Sequence, residues 1–220
     1  NALSSGYCLR KAVTYMAVKI WEDDMPKLAV LLTDAFADWE AAPLMAAARG
    51  YLGVEIVTVS PGGTPVTSMG GLRITPDMAL ETLTPDEIDG LAIIGGMIWE
   101  TAAAPDLGPV VLAFRRANRA IGGICAGTLA IARTGILRGV THTSNSKAFL
   151  STSEHYHGHS SYLDVPFAVR DGHLVTASGM APVSFAREML VALGAMTDEA
   201  SDYFAQFADE HCPTAYRKAS

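Results

Sequence analysis

The sequence has 220 residues, half of them hydrophobic, with 23 acidic against 16 basic residues. This length suits one large α/β domain or two small ones, and the apolar fraction allows a sizeable core. Because the acidic excess comes without a Lys/Arg cluster, we expect no binding to the phosphate backbone of nucleic acid.

The residues before position 25 fit neither a signal peptide nor a membrane anchor. Residues 12–21 are mostly apolar, but Lys19 interrupts them, and acidic residues follow instead of a small-residue cleavage site. A membrane span would need about 20 apolar residues. Met25 resembles a natural start just before the first apolar run. We therefore predict that residues 1–24 are an N-terminal extension, and that residues 25–220 form a single α/β domain without membrane contact.

Four continuous apolar runs predict strands at residues 28–32, 54–59, 91–94 and 120–124. Such runs, without alternation, are typical of parallel strands covered on both faces. Helical patterns occupy residues 39–49, 109–118, 126–133, 182–193 and 198–207. The alternation of strands and helices predicts an α/β three-layer sandwich around a doubly wound, mostly parallel, flavodoxin-like sheet.

Two glycine-containing turns predict short additions to this sheet. Residues 66–74 form a candidate hairpin that turns at Gly70-Gly71. Residues 167–170 and 174–177 flank Asp171-Gly172, a second strong turn signal. Such dipeptides between apolar runs indicate antiparallel β-hairpins.

Three cysteines, Cys8, Cys125 and Cys212, lie far apart, and no pair has the spacing of metal ligands. An odd number of this kind favours reduced thiols, and hence a cytoplasmic protein, over a disulfide framework. Cys125 stands in an informative setting, because it follows a buried strand, and the small residues Ala126 and Gly127 lead from it into a helix. This pattern predicts a strand–turn–helix elbow, where the backbone of a nucleophile is strained and its side chain stays exposed.

The start of a helix favours an anion, because its main-chain N–H groups are unpaired. The elbow therefore predicts a pKa for Cys125 below the ~8.5 of a free thiol, and hence a reactive thiolate. The alternative is an inert cysteine packed under the helix, since cysteine is among the most buried residue types.

Several motifs around this elbow together resemble the ThiJ/PfpI family of the class I glutamine-amidotransferase-like superfamily. The matching segments are Asp38-Trp39-Glu40 at the acidic position, Ile94-Gly95-Gly96 at the Pro-Gly-Gly oxyanion loop, Cys125-Ala126-Gly127 at the nucleophile elbow, and, for one bacterial branch, residues 141–145 (Thr-His-Thr-Ser-Asn) and 177–179 (Ala-Ser-Gly) with Pro182. Each motif is weak alone, but their order and spacing over about residues 27–193 are specific.

The resemblance implies roles for these residues. Glu40 would lie beside the sulfur of Cys125 as a neutral carboxyl, because a carboxylate would repel a thiolate. Main-chain N–H groups of Gly96 and Ala126 would form an oxyanion hole. The full set of predicted oxyanion and binding residues is Gly95, Gly96, Ala126 and Trp99. Without the resemblance, Glu40 is an acid at a helix start, and Gly95-Gly96 is an ordinary strand-end turn.

His159 is the predicted third catalytic residue, because Gly158-His159 and Tyr162 match the spacing of the histidine motif of the family. His155 is a competing match, and the similar bacterial branch often lacks a histidine here. Alternating histidines can also share a metal, or simply lie in a solvated loop. We predict no metal and no cofactor. The histidines expected to be unremarkable surface or hydrogen-bonded residues are His142, His173 and His211.

Two departures from the family narrow the expected chemistry. Peptidase-like members have a histidine directly after the cysteine, where this sequence has Ala126. Glutaminase domains carry a glutamine further along the elbow helix, and residues 126–129 contain none. Peptidase and glutaminase activities are therefore both disfavoured.

Three functions remain open. We predict first a homodimeric hydrolase, hydratase or glyoxalase-type enzyme that attacks a small molecule with the Cys125 thiolate. A redox or stress sensor, or a chaperone-like protein, would instead use oxidation of Cys125. A non-catalytic binding module, such as the ligand domain of a transcription regulator, is the third, although no helix-turn-helix segment follows residue 207.

Overall fold

The computed structural model describes residues 25–210, without the side chains of residues 208–210. Its strands are β1 (Lys27–Leu31), β2 (Glu55–Ser60), β3 (Val66–Thr67), β4 (Arg73–Ile74), β5 (Met78–Ala79), β6 (Gly90–Ile93), β7 (Ala120–Ile124), β8 (Val169–Asp171) and β9 (Leu174–Ala177). Its α-helices are α1 (Asp38–Tyr51), α2 (Gly108–Arg116), α3 (Gly127–Arg133), α4 (Lys147–Leu150), α5 (Pro182–Ala192) and α6 (Asp198–Glu210). The predicted N-terminal extension, with Cys8, and also Cys212 and His211, lie outside the described residues.

Seven strands form one sheet in the order β5-β2-β1-β6-β7-β9-β8. All neighbours are parallel except β8 and β9, which pair antiparallel across the turn predicted at Asp171-Gly172. The predicted hairpin is also confirmed, because β3 and β4 form a separate two-stranded antiparallel sheet. Along the chain, β1 leads outward to β2 and β5, and β6 then starts the other half of the sheet. The doubly wound, mostly parallel fold predicted from the apolar runs is therefore confirmed.

Strands β1, β6 and β7 are buried on both faces, as their continuous apolar sequences predict, whereas the first four residues of β2 are partly or fully exposed. In β1, Leu28 and Val30 face a core cluster that contains residues of α1 and α5, whereas Ala29 and Leu31 face a second cluster with residues of α2 and α3. Successive side chains of a strand point to opposite faces, so one apolar strand supplies both clusters. The result is the predicted three-layer arrangement.

Short elements escape the sequence prediction. The edge strand β5 has two residues, and α4 has four. Three-residue or four-residue 3₁₀ turns also follow β2, β5 and β6. Within residues 25–210, no helix is long and apolar enough to cross a membrane.

The carboxyl ends of β1, β6, β7 and β9 meet at one edge of the sheet, because these strands are adjacent and parallel. Successive strands are added outward in one direction from β1 and in the opposite direction from β6, and open α/β sheets usually bind their ligands at such a switch point. The segments that directly follow these four strands carry Glu40, Gly95, Cys125 and Gly179 of the candidate site.

Candidate active site

Cys125 lies on the turn between β7 and α3, as the elbow pattern predicts. Its φ angle is 54°, in the left-handed region that a side chain with a Cβ rarely occupies. The N–H of Cys125 donates to the carbonyl of Ala177 at the end of β9, at 3.0 Å. A Cβ on Gly127 would stand less than 3.0 Å from the carbonyl oxygen of Ile93, so a glycine lets α3 start this close to β6. The elbow is thus held by both neighbouring strands.

Glu40, in the first turn of α1, is fully buried. Its Oε2 accepts a hydrogen bond of 2.8 Å from the N–H of Gly95, in the loop after β6. Among residues 25–210, its other oxygen, Oε1, has no partner of ordinary hydrogen-bond geometry. Burial raises the pKa of this carboxyl, while interactions with the thiol of Cys125 and with Gly95 lower it.

Two glycines allow the acid and the thiol to approach each other. A Cβ on Gly95 would stand less than 3.0 Å from both Glu40 Oε2 and Cys125 Cβ. A Cβ on Gly179, in the loop after β9, would stand 2.9 Å from Cys125 Sγ and 3.0 Å from Glu40 Oε1. The acid and the thiol therefore pack against main chain that carries no side chain.

Asn145, in the loop between α3 and α4, supplies a further contact to the sulfur. Its Nδ2 donates to Cys125 Sγ at 3.3 Å, and its Oδ1 accepts from the N–H of Gly179 at 2.9 Å. The carbonyl of Gly179 in turn accepts a 3.2 Å hydrogen bond from the indole of Trp39, a side chain that is half exposed. The amide of Asn145 and the indole of Trp39 thus hold Gly179 beside the sulfur.

The pKa of the Cys125 thiol differs from the sequence-based expectation. Burial raises the pKa of its thiol, and the charge of Glu40 raises it further, whereas hydrogen bonds from Asn145 and from the N–H of Ala126 lower it. The lowered pKa predicted from the helix start is therefore wrong in direction. The physical reason is that α3 has seven residues, and the hydration lost on burial outweighs the main-chain N–H groups at its start.

The predicted oxyanion and binding residues divide into two groups. Gly95 and Ala126 lie against the acid and the sulfur, as described above. The N–H of Gly96 donates to no acceptor among residues 25–210, and Gly96 is buried beside Phe36. Trp99 is fully buried instead, and its indole N–H donates to the carbonyl of Ile94 at 2.8 Å. Trp99 therefore supports the loop from the core side rather than offering a surface to a ligand.

His159 is exposed, and its Nε2 lies 3.2 Å from the hydroxyl of Ser151. Its ring packs on Tyr156, with 4.5 Å between the centroids. In the part of the chain that the structure describes, no hydrogen bond joins His159 to Cys125 or Glu40. Its catalytic role stays a prediction, and the contact to the sulfur belongs to Asn145.

The remaining histidines divide between surface and core. His155 and His157 are exposed, and no group of three or more potential metal-ligating side chains occurs within residues 25–210. His142 is buried: Nδ1 lies 2.7 Å from the carbonyl of Val140, so it carries the proton, and Nε2 accepts from the Tyr156 hydroxyl at 2.8 Å. Burial lowers the pKa of His142. His142 is thus one of the hydrogen-bonded residues that the sequence suggested, but in the core.

Three residues of the site had no role in the sequence prediction, namely Trp39, Asn145 and Gly179. All three stood inside motifs that carried the resemblance. The signal was therefore present as motif membership, but the contacts join residues 20 to 140 positions apart and are visible only in the folded chain.

The fold places the chain among doubly wound α/β proteins that have a strand–turn–helix elbow after a central strand. Residues 26–192 match the model of the DJ-1/PfpI family, and the chain belongs to this family. The resemblance that the motifs indicated is thereby confirmed.

Three relatives illustrate the relationship. The structure of the DJ-1 superfamily protein Atu0886 from Agrobacterium tumefaciens is 50% identical, with a TM-score of 0.83 over 86% of this chain and 100% of that one. A thiJ/pfpI family protein from Bacillus anthracis is 30% identical, with a TM-score of 0.74 over 88% and 94%. The "uncharacterized protease YoaZ" of Bacillus subtilis (strain 168) is 34% identical over 74% of this chain and 81% of its own.

Proposed function

We propose that the protein is a cysteine-dependent enzyme for small molecules, of the hydrolase, hydratase or glyoxalase type, that acts through Cys125. The observation that carries the proposal is a half-buried cysteine in a strained backbone conformation beside Glu40, a buried acid with one oxygen lacking an ordinary hydrogen-bond partner among the described residues. Backbone strain and unpaired buried polar groups both cost stability. Their coincidence at the carboxyl edge of the sheet favours a functional role over a structural one.

The proposed first step moves one proton within the pair. The carboxylate of Glu40 takes the proton of the Cys125 thiol, which leaves a thiolate beside a neutral carboxyl. The sulfur then forms a bond to an electrophilic carbon, and the π electron pair of that carbon moves to its oxygen or nitrogen, which takes the proton back from Glu40. N–H groups of Gly96 and Ala126 would stabilise the developing charge. A water molecule then gives its hydroxyl to the carbon and its remaining proton to the carboxylate of Glu40, while the electron pair of the S–C bond returns to Cys125, which restores the thiolate beside a neutral carboxyl.

A small substrate is favoured over a peptide for two reasons. The residue after the nucleophile is Ala126, which is 4% exposed and offers no proton-transfer group. Among residues 25–210, the side-chain donor to the sulfur is an amide and not a histidine. The protease name belongs to the relative from Bacillus subtilis, and peptide hydrolysis is therefore the competing activity in the test.

The test is a substrate panel of aldehydes, dicarbonyls, amides and isonitriles, with fluorogenic peptides as the competing class. We expect turnover of one small-molecule class by the wild type, and a loss of about 10³-fold or more in Cys125→Ser and Cys125→Ala. Cys212→Ser is the matched control and should keep full activity. Equal turnover by Cys125→Ser, or turnover of peptides alone, would contradict the proposal.

A redox sensor is the second candidate, because the hydrogen-bond donors that face the sulfur would also hold oxygen atoms on it. Peroxide would convert the thiolate to a sulfenic acid with release of water, and a second peroxide would yield the sulfinic acid. Intact-mass measurement after peroxide treatment decides this candidate. Oxidation of Cys8 or Cys212 before Cys125 would exclude it.

We further propose a homodimer in the reducing cytoplasm. The hairpin of β3 and β4 supports a dimer, because it leaves Met69 and Leu72 46% and 59% exposed. Light scattering at micromolar concentration should give twice the chain mass, and Leu72→Lys should shift it towards the monomer. A monomeric wild type would contradict the proposal.

A further inference from the structure

The amide of Asn145 has one possible orientation. The N–H of Gly179 is a donor, so the group 2.9 Å from it must be the carbonyl oxygen of the amide. The NH₂ group of Asn145 must then face Cys125 Sγ, 3.3 Å away. Because an NH₂ group only donates, its interaction with sulfur strengthens when the thiol loses its proton.

The segment that carries Asn145 is hydrogen-bonded both to α3 and to β9. The Oγ atoms of Ser144 and Thr128 lie 2.6 Å apart, and the Thr128 hydroxyl donates to the carbonyl of Cys125 at 2.6 Å, so Ser144 is the donor of the first bond. The N–H of Thr143 donates to Thr176 Oγ1 in β9 at 2.9 Å. Thr143 and Ser144 are both buried. The amide is therefore held in place before any substrate arrives.

We propose that Asn145 is a catalytic residue that stabilises the ionised sulfur of Cys125 by donating its amide N–H to Sγ, a place for which the sequence suggested a histidine. The proposal rests on the proposed function, since it concerns the same nucleophile. Neutral at every pH, an amide does not act as a base. Asn145 would raise the fraction of thiolate, and the proton would still pass to Glu40.

The surroundings of the sulfur support this role. Burial opposes ionisation of Cys125, and the interaction with Asn145 is the largest of those that lower the pKa of the thiol. Glu40 of α1 is the titratable side chain that faces Cys125 from the packed elements, and its negative charge has the opposite effect. Removal of Asn145 would therefore take away the largest interaction that opposes the effects of burial and of Glu40 on the pKa of Cys125.

The test measures the rate of alkylation of Cys125 by iodoacetamide from pH 5 to pH 10, in the full chain with Cys8→Ser and Cys212→Ser. We expect Asn145→Ala to raise the apparent pKa of this rate by about one unit, the loss of one hydrogen bond to a charged group. Alkylation at pH 7 should then slow by about three- to fivefold, because the more basic thiolate is also the better nucleophile.

Asn145→Asp separates stabilisation of the sulfur from anchoring of the loop. Aspartate keeps the oxygen that accepts from Gly179 but replaces the donor to the sulfur by a second oxygen, so we expect a larger rise in the pKa than in Asn145→Ala. Asn118→Gly removes an exposed amide at the opposite edge of the sheet, and glycine accepts the left-handed backbone of this position, so this variant is the matched control and should follow the wild type. Circular dichroism and thermal unfolding check that each variant is folded.

The outcomes are distinguishable. A wild-type profile in Asn145→Asp would reduce Asn145 to a loop anchor and overturn the proposal, even if Asn145→Ala fails to fold. Unchanged profiles in both variants would also overturn it, while leaving the proposed function intact. A wild-type Cys125 that reacts no faster at any pH than in the urea-unfolded chain would overturn the proposed function itself.

Discussion

The amino ends and the carboxyl ends of the parallel strands, the amino edge and the carboxyl edge of the sheet, hold similar side chains in different surroundings. At the amino edge, Asp89 accepts from the guanidinium of Arg119 at 2.6 Å and from the N–H of Lys27 at 2.9 Å. At the carboxyl edge, Glu40 is fully buried, accepts one ordinary hydrogen bond from Gly95, and has no ion-pair partner among the described residues. An acid with a cation beside it stabilises the fold, whereas a buried acid without one is a source of reactivity.

The two edges also differ in which residue type occupies a left-handed backbone conformation. Asn118 at the amino edge and Cys125 at the carboxyl edge have φ angles of 57° and 54°. Asparagine often adopts the left-handed region, whereas at cysteine it is uncommon and costs of order 1 kcal/mol or more. Cavities of about 440 Å³ at the amino edge and about 580 Å³ beside Trp39 both leave Cys125 out of their lining. Neither cavity therefore marks the cysteine, whereas the buried acid without an ion-pair partner and the strained backbone do.

The largest expected difference between the two edges is the change in turnover when the acid at each edge is replaced by its amide. We expect Glu40→Gln to lower turnover by about 10²- to 10⁴-fold, because the pair loses its proton acceptor and donor. Asp89→Asn keeps an acceptor oxygen for its two donors, and it lies at the other end of the strands from the sulfur. It should therefore leave turnover unchanged. Both are measured as kcat/KM with the substrate from the panel. Loss of activity in Asp89→Asn, or its retention in Glu40→Gln, would show that the two acids do not differ in this way.

Crowding at the carboxyl edge gives the next largest effect. Gly127→Ala places a methyl group against the carbonyl of Ile93, which is backbone and cannot move aside. We expect it to lower the free energy of unfolding by about 2–3 kcal/mol. Gly50→Ala, in the last turn of α1 at the amino edge, meets no atom within 4 Å and should be neutral or stabilising by up to about 1 kcal/mol. Urea unfolding measures both, and equal effects would contradict the difference in packing.

The sequence predicts the elbow but not its electrostatics. Residues 120–124 and the small residues after Cys125 are a local pattern, and β7 has the predicted bounds. The edge strand β5 has two residues and no periodic signal. The contact of Asn145 with the sulfur depends on the loop after α3, and the pKa of Cys125 depends on burial by several elements. Long-range contacts and desolvation are properties of the folded chain, which explains why these two features were missed or wrong in direction.

The raised pKa of Glu40 also predicts a pH dependence of stability. A carboxyl whose pKa is higher in the folded than in the unfolded chain stabilises the fold below its ordinary pKa of about 4.5, and this contribution is lost as pH rises through the folded value. We expect Glu40→Gln, neutral throughout, to be more stable than the wild type at pH 8, by on the order of 1 kcal/mol, and to lose this advantage towards pH 4.5. Urea unfolding at pH 4.5, 6 and 8 measures the difference.

The matched control for this pH dependence of stability is the replacement of an acid at the amino edge. Glu55, at the start of β2, is exposed and lies 3.3 Å from the ammonium of Lys27. We expect Glu55→Gln to change the free energy of unfolding by less than about 1 kcal/mol, because surface ion pairs contribute little. A pH-dependent gain in Glu55→Gln equal to that in Glu40→Gln would assign the slope to net charge instead of to burial.

The smallest effect is expected where the polar groups are already paired. Arg119 and Asp89 have side chains that are 36% and 34% exposed, so water and salt weaken their attraction. We expect Arg119→Gln to lower the free energy of unfolding by about 1 kcal/mol or less at low salt, and by less still in 1 M NaCl. The alkylation profile of Cys125 should not move, since this pair lies at the other end of the strands. A shift of that profile in Arg119→Gln would mean that the two edges are electrostatically coupled through the sheet, and the contrast between them would have to be abandoned.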